Sequence, residues 1–513
     1  MPLHTDLGNA RRLIERHGDN LRYIPEWEKW IVWREERWSV DSDGHIMRLA
    51  KDTVDALYNE AMQLNSAERD ALLKHGIKSQ AEPRLRAMVK LAETEAAVVL
   101  SAQELDKDPW LLGVQNGVIE LRSQHFRPAR REDYVTKHCG VAFDPGATCR
   151  NWMAFLDTVT QGDTHLQQYL CRLMGYTITG SVREELMVVL YGTGRNGKST
   201  FRETLHALLG DYALAADAGL LTEQKRAGGA SEEVARLRGR RFVAVNETAE
   251  NEQMNEARVK FITSQDMISA RSLYGHLFDF YPTHKTFLTT NHKPIVRGTD
   301  EGIWRRVQLI PFTACIDSSK VEKDFRERRL MPELPGILNF ALVGLAAYLK
   351  DGLNPAAAIV ASTQEYRSEM DVVGQWLSEH CVSEPKASVA TADAYANYEL
   401  WAEEEIGWKI SKLKFRRQLT ERGYGRVTGT HNQRRIGGMR LKTVAELSNG
   451  SEGGPVPESG VNTSTAQDTG QPGADDELLD TRIRELVGKS EANDDGQGTP
   501  SVEQTEAPLR DAA

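Results

Sequence analysis

An α/β fold is predicted by this sequence, with a parallel β-sheet covered by helices at its centre, a helical region before it and a winged-helix-like module after it. Three observations predict this fold. A glycine-rich segment, GTGRNGKST at residues 192–200, stands between an apolar run and a helical pattern. Apolar runs of strand length recur further along the chain, separated by helical patterns, which is typical of a parallel sheet. Three helical patterns and a glycine-rich hairpin signal then follow at about residues 373–442.

The predicted central sheet depends on four apolar runs, at residues 186–191, 242–245, 286–290 and 307–311. The first, LMVVLY, leads directly into the glycine-rich segment, and a one-sided apolar pattern at residues 201–209 predicts a helix after it. We expect the third strand to lie between the first and the second.

The segment at residues 192–200 fits the pattern G-x-x-x-x-G-K-[ST]. Such a loop binds phosphates because successive backbone N–H groups and the positive end of a helix surround the polyphosphate. Lys198 would reach the β- and γ-phosphates, and the Ser199 hydroxyl would ligate Mg²⁺. A chance match to the bare pattern occurs in roughly 2% of chains of this length. The sequence therefore predicts a nucleoside triphosphatase that uses ATP and Mg²⁺, with the phosphate-binding residues Gly192, Thr193, Gly194, Arg195, Asn196, Gly197, Lys198, Ser199 and Thr200.

Two polar residues follow neighbouring predicted strands and are candidates for the hydrolytic step. Glu247, after the strand 242–245, would polarise the attacking water and help to hold Mg²⁺, although Asn246 stands where many such enzymes carry Asp. Asn291, at the end of the strand 286–290, can both donate and accept hydrogen bonds and would orient that water. An exposed acid after a strand and a plain turn asparagine are the alternatives.

Arg305 and Arg306 precede the last predicted strand. An arginine that reaches the γ-phosphate of a neighbouring subunit would offset developing charge and link hydrolysis to assembly. A local ion pair is the alternative, and the sequence does not decide which arginine would act.

Length and composition predict a chain of two to four domains. It has 513 residues, and we expect no apolar window long enough to cross a membrane. The N-terminal residues lack the apolar segment of a secretory signal. The five cysteines form no C-x-x-C pair, which favours a reducing cytoplasm and no metal beyond the nucleotide-bound Mg²⁺.

The net charge of −10 is unevenly distributed. Residues 446–513 carry 15 acidic and 4 basic side chains, a balance of −11, so the rest of the chain is near +1. We expect this tail to be disordered except for a short helix at about residues 477–487. Residues 409–442 carry 11 Lys and Arg against one acid, which favours nucleic-acid binding over a merely solvated face. The predicted contacts from this block are Lys412, Lys414, Arg416, Arg417, Arg434 and Arg435.

Before the central sheet, two hairpins are predicted. Four tryptophans crowd residues 27–38, and Trp30 to Trp38 would form a hairpin with Glu35 and Glu36 at its turn. Core packing of these rings is favoured over base stacking. Asn116-Gly117 between apolar runs predicts the second hairpin, and helices should follow at residues 150–182.

Several blocks taken in order, DPWLLGVQNGVIEL, DYVTKHCGVAFDP, LMGYTITG, YGTGRNGKST, ARLRGRRFVAVNET, KFITSQDMISARSLY, FLTTNHKP and GTDEGIWRRVQLIPF, cover about residues 105–315. Their spacing resembles the superfamily 3 helicases, in the phage and plasmid primase-helicase branch shared with the poxvirus primase-helicase. The resemblance implies a P-loop, AAA+-like ATPase core, with residues 192–200 as motif A, Glu247 in motif B and Asn291 as the sensor of motif C.

The family motif between these maps onto residues 260–271, where Ser264-Gln265 stand in place of two glycines common in relatives. The resemblance then implies a hairpin that projects into a ring channel. Tyr274 and His276 would lie near its tip and grip DNA, and Lys260 and Arg271 would contact phosphate. Ordinary loop residues are the alternative.

The resemblance also implies an ATP-dependent DNA helicase of phage, prophage or plasmid replication. We expect it to form a hexameric ring and to act in a bacterial host cytoplasm. A separate primase or polymerase would be its partner, because about 100 residues before the first block are too few for a primase core. A non-translocating initiator or loader that binds origin DNA is the alternative, and a metabolic P-loop kinase is less favoured.

The expected domains are a mostly helical region (1–104), a helicase-associated domain (105–182), the ATPase domain (183–350), the winged-helix-like module (370–445) and the acidic tail (446–513).

Overall fold

The computed structural model of the protein describes residues 4–222, 230–246, 252–271, 277–298, 300–317, 322–428, 433–448 and 474–486. Within these ranges it is a mixed α/β structure with one parallel sheet, several antiparallel sheets and extensive helical regions.

The N-terminal region combines helices with a three-stranded antiparallel sheet. The predicted tryptophan hairpin is confirmed, because Trp33 pairs with Trp38 across its two strands. Its turn residues Glu35 and Glu36 have φ of 48° and 59°, the left-handed conformation that a tight two-residue turn requires. Trp38 is fully buried, as core packing predicts. The elements are α1 (Asp6–His17), β1 (Leu21–Ile24), β2 (Lys29–Arg34), β3 (Arg37–Val40), α2 (His45–Ala61), α3 (Ser66–Ser79) and α4 (Glu82–Ala92).

The next segment begins with a second antiparallel sheet and ends with two helices. The predicted Asn116-Gly117 hairpin is confirmed, since Val114 pairs with Gly117 at its turn. The elements are β4 (Leu111–Val114), β5 (Gly117–Glu120), β6 (His125–Arg127), α5 (Arg150–Thr160) and α6 (Thr164–Thr177). α5 buries one face, whereas α6 is buried on all sides from Gln168 onward, and the two helices contribute Trp152, Tyr169 and Tyr176 to the largest buried cluster among the described residues.

The central sheet has five parallel strands, in the order β13–β7–β12–β9–β8. All four predicted strands are present, and the third lies between the first and the second as expected. The strand β8 was not predicted. The elements are β7 (Met187–Tyr191), α7 (Lys198–Leu209), β8 (Ala213–Ala216), α8 (Ala230–Ala235), β9 (Phe242–Val245), α9 (Glu256–Thr263), β10 (Ile268–Arg271), β11 (Leu277–Phe280), β12 (Lys285–Thr290), α10 (Glu301–Trp304) and β13 (Val307–Pro311).

A long apolar helix covers one face of this region. α11 (Leu334–Asp351) packs against α6, and α12 (Ala357–Met370) packs against β13. Among the described residues, the helical stretch Arg326–Asp351 is long and apolar enough by length and composition to cross a membrane. The expectation that no such window exists is therefore wrong. Because 61% of the window is buried inside the protein, the stretch has the surroundings of a core helix.

The C-terminal module contains helices and a three-stranded antiparallel sheet with the order β14–β16–β15. Helices and a final hairpin were predicted, but the ten-residue strand β14 between the helices was not. The elements are α13 (Val372–His380), β14 (Cys381–Ala390), α14 (Thr391–Trp401), α15 (Lys412–Glu421), β15 (Arg426–Thr428), β16 (Arg434–Leu441) and α16 (Val444–Ser448).

The short helix predicted within the acidic tail is present as α17 (Ala474–Glu485). Its Leu479 and Ile483 are buried in the cluster that contains α6 and α11. The Gln168 amide donates a hydrogen bond of 3.0 Å to the Asp480 carboxylate. The remaining tail residues, 449–473 and 487–513, lie outside the described residues.

Candidate nucleotide and nucleic-acid sites

The glycine-rich loop connects the carboxyl end of β7 to the first turn of α7. Gly194 and Gly197 have φ of 113° and 86°, which glycine adopts without steric cost. A Cβ atom at Gly192 would collide with the Phe312 carbonyl oxygen, and one at Gly197 would collide with the Val159 side chain. The three glycines are therefore required by backbone conformation or by close packing.

Lys198 lies inside this loop and is 4% exposed. Its ammonium group donates hydrogen bonds to the Gly192 carbonyl at 2.6 Å, the Asn196 amide oxygen at 3.1 Å and the Asn291 amide oxygen at 3.0 Å. Lys198 begins the helix that follows β7, Asn291 directly follows β12, and the sheet order brings them together because β12 pairs directly with β7.

The loop is braced by the segment after β13. The Asn196 amide donates to the Phe312 carbonyl at 3.0 Å, and the Ile316 N–H donates to the Arg195 carbonyl at 2.9 Å. Cys315 in that segment is exposed, whereas the other four cysteines are buried. Sequence patterns did not indicate this brace, since the bonded residues are more than one hundred positions apart.

Glu247 lies outside the described residues, so its predicted role stays a prediction. The strand before it, β9, pairs with β12 on the side away from β7, and Asn246 accepts a hydrogen bond from Arg202 of α7. Arg202 also contacts Glu203 at 2.8 Å, and Arg326 reaches Glu203 at 2.6 Å. Sequence reasoning did not identify Arg202; its position four residues after Lys198, one turn further along α7, is the only signal for it.

Arg305 and Arg306 both pair with Glu185, at 2.9 Å and 2.6 Å. Their exposures differ, since the Arg305 side chain is 62% exposed and that of Arg306 is 9% exposed. Arg306 also donates to the Gly302 carbonyl at 2.8 Å. The local ion pair considered for these arginines is therefore present, and only Arg305 extends into solvent.

The predicted DNA hairpin corresponds to the antiparallel pair β10–β11. Lys260, on α9, forms an ion pair of 2.7 Å with Asp300, and Arg271 is exposed at the end of β10. Burial raises the pKa of Asp300, but the bond and charge of Lys260 outweigh burial and hold that pKa below its ordinary value. Tyr274 and His276 lie outside the described residues.

The basic residues of the C-terminal module lie on two elements. Lys412, Lys414, Arg416 and Arg417 are on α15, and Arg434 and Arg435 are on β16. Three of them have partners within the module: the Lys412 ammonium lies 5.5 Å from the Tyr395 ring centre, Arg417 pairs with Glu421 at 2.8 Å, and Arg435 donates to the Ser388 carbonyl at 2.6 Å.

Two families match separate parts of the chain. Residues 10–161 match the family described as D5 N terminal like, and residues 190–306, which hold the glycine-rich loop and Asn291, match a family of unknown function, DUF5906. The first match crosses the boundary expected between residues 104 and 105.

Viral proteins are among the relatives. The chain is 30% identical over 335 residues to "Putative helicase L207/L206" of Acanthamoeba polyphaga mimivirus, covering 61% of this chain and 35% of that protein. It is 26% identical over 336 residues to "Putative primase C962R" of African swine fever virus, covering 60% and 34%. The chain thus spans about a third of the length of these relatives.

Among solved structures, the apo NrS-1 C-terminal region (305–718) aligns with a TM-score of 0.48 at 10% identity, over 84% of this chain and 99% of that one. The resemblance to a phage and viral primase-helicase family that the sequence motifs predicted is confirmed by the match to the D5 N terminal like family and by the viral relatives.

Proposed function

We propose that this protein is an ATP-dependent DNA helicase of replication, which couples ATP hydrolysis to movement along single-stranded DNA and to duplex unwinding. The observation that carries the proposal is the hydrogen bond between Lys198 of the glycine loop and Asn291 of the neighbouring strand. Family relatives named helicase or primase support a replication role. The five-stranded parallel sheet supports a P-loop, AAA+-like core of superfamily 3 type.

ATP and Mg²⁺ fit the residues at the carboxyl end of β7. The loop is free of side-chain bulk at its three glycines, and the N-terminus of α7 directs backbone N–H groups toward it. Lys198 would exchange its loop oxygens for phosphate oxygens, and Ser199, which is exposed on the first turn of α7, would ligate the metal with Glu247. When bound, Mg²⁺ would neutralise phosphate charge. Asn291 would then hold the attacking water.

We further propose that the chain assembles into a ring, as a hexamer, with Arg305 reaching the nucleotide of the adjacent subunit. Its exposure supports this role, whereas the buried Arg306 would orient Glu185 and hold Arg305 in place. Arg305→Ala should abolish DNA-stimulated ATP hydrolysis, although the variant protein should still bind ATP. Mixing Arg305→Ala with Lys198→Ala should restore hydrolysis. At an interface between the two variants, Arg305→Ala supplies an intact Lys198 and Lys198→Ala supplies an intact Arg305. Failure of every mixing ratio to restore activity would count against the shared site.

DNA would contact the protein at the β10–β11 hairpin, through Lys260, Arg271, Tyr274 and His276, and at the C-terminal module. The helices and three-stranded sheet of that module support a winged-helix-like DNA-binding unit, with α15 and β16 presenting its basic residues. We keep the five-domain division, with the acidic tail at residues 446–513, as part of this proposal, and we expect the protein to act where phage or plasmid DNA replicates in the host cytoplasm.

A forked-duplex unwinding assay tests the helicase. Wild-type protein should displace the labelled strand with ATP, and Lys198→Ala should not. ATP hydrolysis that single-stranded DNA stimulates without any unwinding would instead support the initiator or loader. Hydrolysis that DNA leaves unchanged would support a metabolic kinase-like enzyme.

We propose that this chain does not synthesise primers and that a separate primase or polymerase does so, although some relatives carry primase in their names. Incubation with a single-stranded template and labelled ribonucleotides and deoxyribonucleotides tests this. Labelled oligonucleotides made by wild-type protein and by Lys198→Ala alike would contradict the proposal.

A further inference from the structure

A cavity lies at the amino end of the parallel strands, at the opposite end of the sheet from the glycine loop. It encloses about 350 Å³ and is lined by Trp27, Trp38, Arg37, Lys137, Arg240 and Asp211, among others. We call it the aromatic–cationic cavity. Asp211 and Arg240 stand two residues before β8 and β9, so the cavity is at the amino end of the strands. The glycine loop follows the carboxyl end of β7, and the two sites are therefore distinct.

Three cations and one acid face the aromatic–cationic cavity. Arg37 pairs with Asp211 across the boundary between the N-terminal sheet and the central sheet. Lys137 is neutralised by Asp106 at 2.7 Å. Arg240 donates to the Ala213 carbonyl at 3.1 Å, but its Nε is buried and has no hydrogen-bond partner within the described part of the chain. A buried guanidinium N–H without a partner is costly, so Arg240 lines the cavity with a positive charge whose hydrogen-bonding capacity the protein leaves partly unused.

The walls of the aromatic–cationic cavity come from two tryptophans. Both line the cavity; Trp38 is fully buried, whereas Trp27 is half-buried. A volume of this size accommodates a nucleobase with its phosphate. Aromatic rings beside arginines are the combination that holds unpaired nucleotides, because any base can stack and any phosphate can pair.

The aromatic–cationic cavity adjoins the predicted DNA hairpin. The Arg238 guanidinium lies 5.4 Å from the Trp27 ring centre and 5.4 Å from that of Phe278 on β11. Arg238 is itself fixed by a hydrogen bond of 2.7 Å to the Ala102 carbonyl. A DNA strand that passes the hairpin beside Phe278 would therefore meet Trp27 next.

We propose that the aromatic–cationic cavity is a further single-stranded DNA contact, in which Trp27 stacks with one unpaired base while Arg37 and Arg240 bind the adjacent phosphate. This inference rests on the proposed DNA-translocating function. An acidic peptide could pair with the same arginines, but it would not need the Trp27 ring or the neighbouring hairpin.

The chain offers a matched control in the same β-hairpin. Arg34 pairs directly opposite Arg37, and each arginine forms one ion pair with an aspartate, Arg34 with Asp43 and Arg37 with Asp211. Their side chains are 36% and 31% exposed. Arg37→Ala and Arg34→Ala therefore each remove one arginine–aspartate ion pair from the same hairpin, with two hydrogen bonds lost for Arg34 and one for Arg37, and only Arg37→Ala changes the cavity. Equal unfolding temperatures would show that both variants keep the fold.

Anisotropy of a fluorescent 20-nucleotide oligothymidylate measures the contact with the full chain. Arg37→Ala should weaken binding about fivefold to tenfold and reduce the salt slope by about one, whereas Arg34→Ala should match wild type. Equal affinities for the two variants, with wild-type DNA binding intact, would overturn the cavity proposal alone. Wild-type protein that binds no DNA would overturn the proposed function as well.

Photocrosslinking gives a second, direct measurement. An oligonucleotide that carries 5-iododeoxyuridine should form an adduct on the tryptic peptide of residues 23–29, which contains Trp27. Adducts confined to other peptides would overturn the proposal. Displacement of DNA by a peptide of residues 451–473 from wild type but not from Arg37→Ala would assign the cavity to acidic peptides and overturn it too.

Discussion

The two ends of the parallel sheet both hold buried cations, but with different partners. At the carboxyl end, Lys198 binds a loop carbonyl and two side-chain amides, all within the loop or one strand away. At the amino end, Arg241 donates to the Ile178 carbonyl at 2.5 Å and the Leu111 carbonyl at 2.7 Å. Lys285 donates to the Thr179 carbonyl, the Ser181 carbonyl at 3.2 Å and the Thr283 carbonyl at 3.3 Å.

The difference lies in what can replace those partners. The oxygens around Lys198 belong to a glycine loop and two amides, and phosphate oxygens can displace them. The carbonyls around Arg241 and Lys285 come largely from the end of α6, where the helix dipole favours positive charge. Burial lowers the pKa of Lys285 well below its ordinary value, and the Arg241 charge lowers it further. In the proposed function the carboxyl end would exchange these oxygens for those of a ligand, whereas the amino end attaches the sheet to the segment after α6 and to β4.

Lys198→Ala should produce the largest effect and sharpen this comparison. ATP hydrolysis should fall about a thousandfold or more, equivalent to about 4 kcal/mol, because in the proposed function Lys198 is the ammonium that would reach the phosphates. The free energy of unfolding should change by less than about 1 kcal/mol, since the partners of Lys198 can re-form bonds with water. Steady-state hydrolysis and urea unfolding measure the two quantities, with the exposed Lys350→Ala as control. A large loss of stability in Lys198→Ala would show that the carboxyl end, like the amino end, depends on its buried cation for folding.

Arg241→Met should have the reverse effect. It leaves two buried carbonyls without a donor and should lower the free energy of unfolding by about 3 kcal/mol. Hydrolysis per folded molecule should stay within about twofold of wild type, because the side chain lies at the opposite end of the sheet. Arg236→Met removes a surface ion pair with Glu233 and a long hydrogen bond of 3.4 Å to the Ala215 carbonyl, and it should be near neutral. Stability equal to wild type in Arg241→Met would contradict the structural role of the amino end.

Asn291→Ala tests whether Asn291 and Lys198 at the carboxyl end are both needed for hydrolysis. Loss of one oriented hydrogen-bonding group should lower hydrolysis about a hundredfold, equivalent to about 2.7 kcal/mol, while ATP still binds through Lys198. The exposed neighbour His292 provides the control, and His292→Ala should stay within about twofold. If ATP affinity fell and turnover at saturating ATP did not, Asn291 would act in binding only.

Much of the parallel sheet could be predicted because its strands are continuous apolar runs rich in β-branched residues, as at residues 187–191 and 242–245. Two strands were missed for physical reasons. β8 reads ALAA, and alanine has no strand preference of its own. β14 reads CVSEPKASVA, and most of its side chains face solvent, so neither its hydrophobicity nor its Pro385 indicates a strand.

The candidate nucleotide site was predictable where local pattern determines position. The glycine loop and the strand-ending Asn291 carry such patterns, and the sheet order then brings them together. The buried polar residues at the amino end carry no such pattern: Arg241 and His284 stand just before strands and Lys285 begins one, where polar residues normally meet solvent. Their acceptors lie 63 and 130 positions away for Arg241 and 106 for Lys285, and no local rule relates residues so distant.

The smallest expected effect is a pH dependence at the amino end. Burial, and then the charge of Lys285, lower the pKa of His284 from 6.5 to about 4. The unfolded chain takes up the proton near pH 6.5 and the folded chain does not, so the stabilisation is complete above pH 6.5 and is lost as pH falls toward 4. From these two pKa values the loss between pH 7.5 and pH 5 should be about 2 kcal/mol.

His284→Leu should remove that part of the pH dependence, because leucine takes up no proton in either state. Urea unfolding of both proteins at pH 7.5 and pH 5 measures it. The wild-type free energy of unfolding should fall more steeply between those pH values than that of the variant, by about 2 kcal/mol. The exposed His292→Ala, two residues beyond β12 at the other end of the sheet, should keep the wild-type slope. If the free energy of unfolding depended on pH equally in His284→Leu and in wild type, His284 would take up its proton in the folded protein without opening the amino end. That end would then be less rigid than its hydrogen bonds indicate.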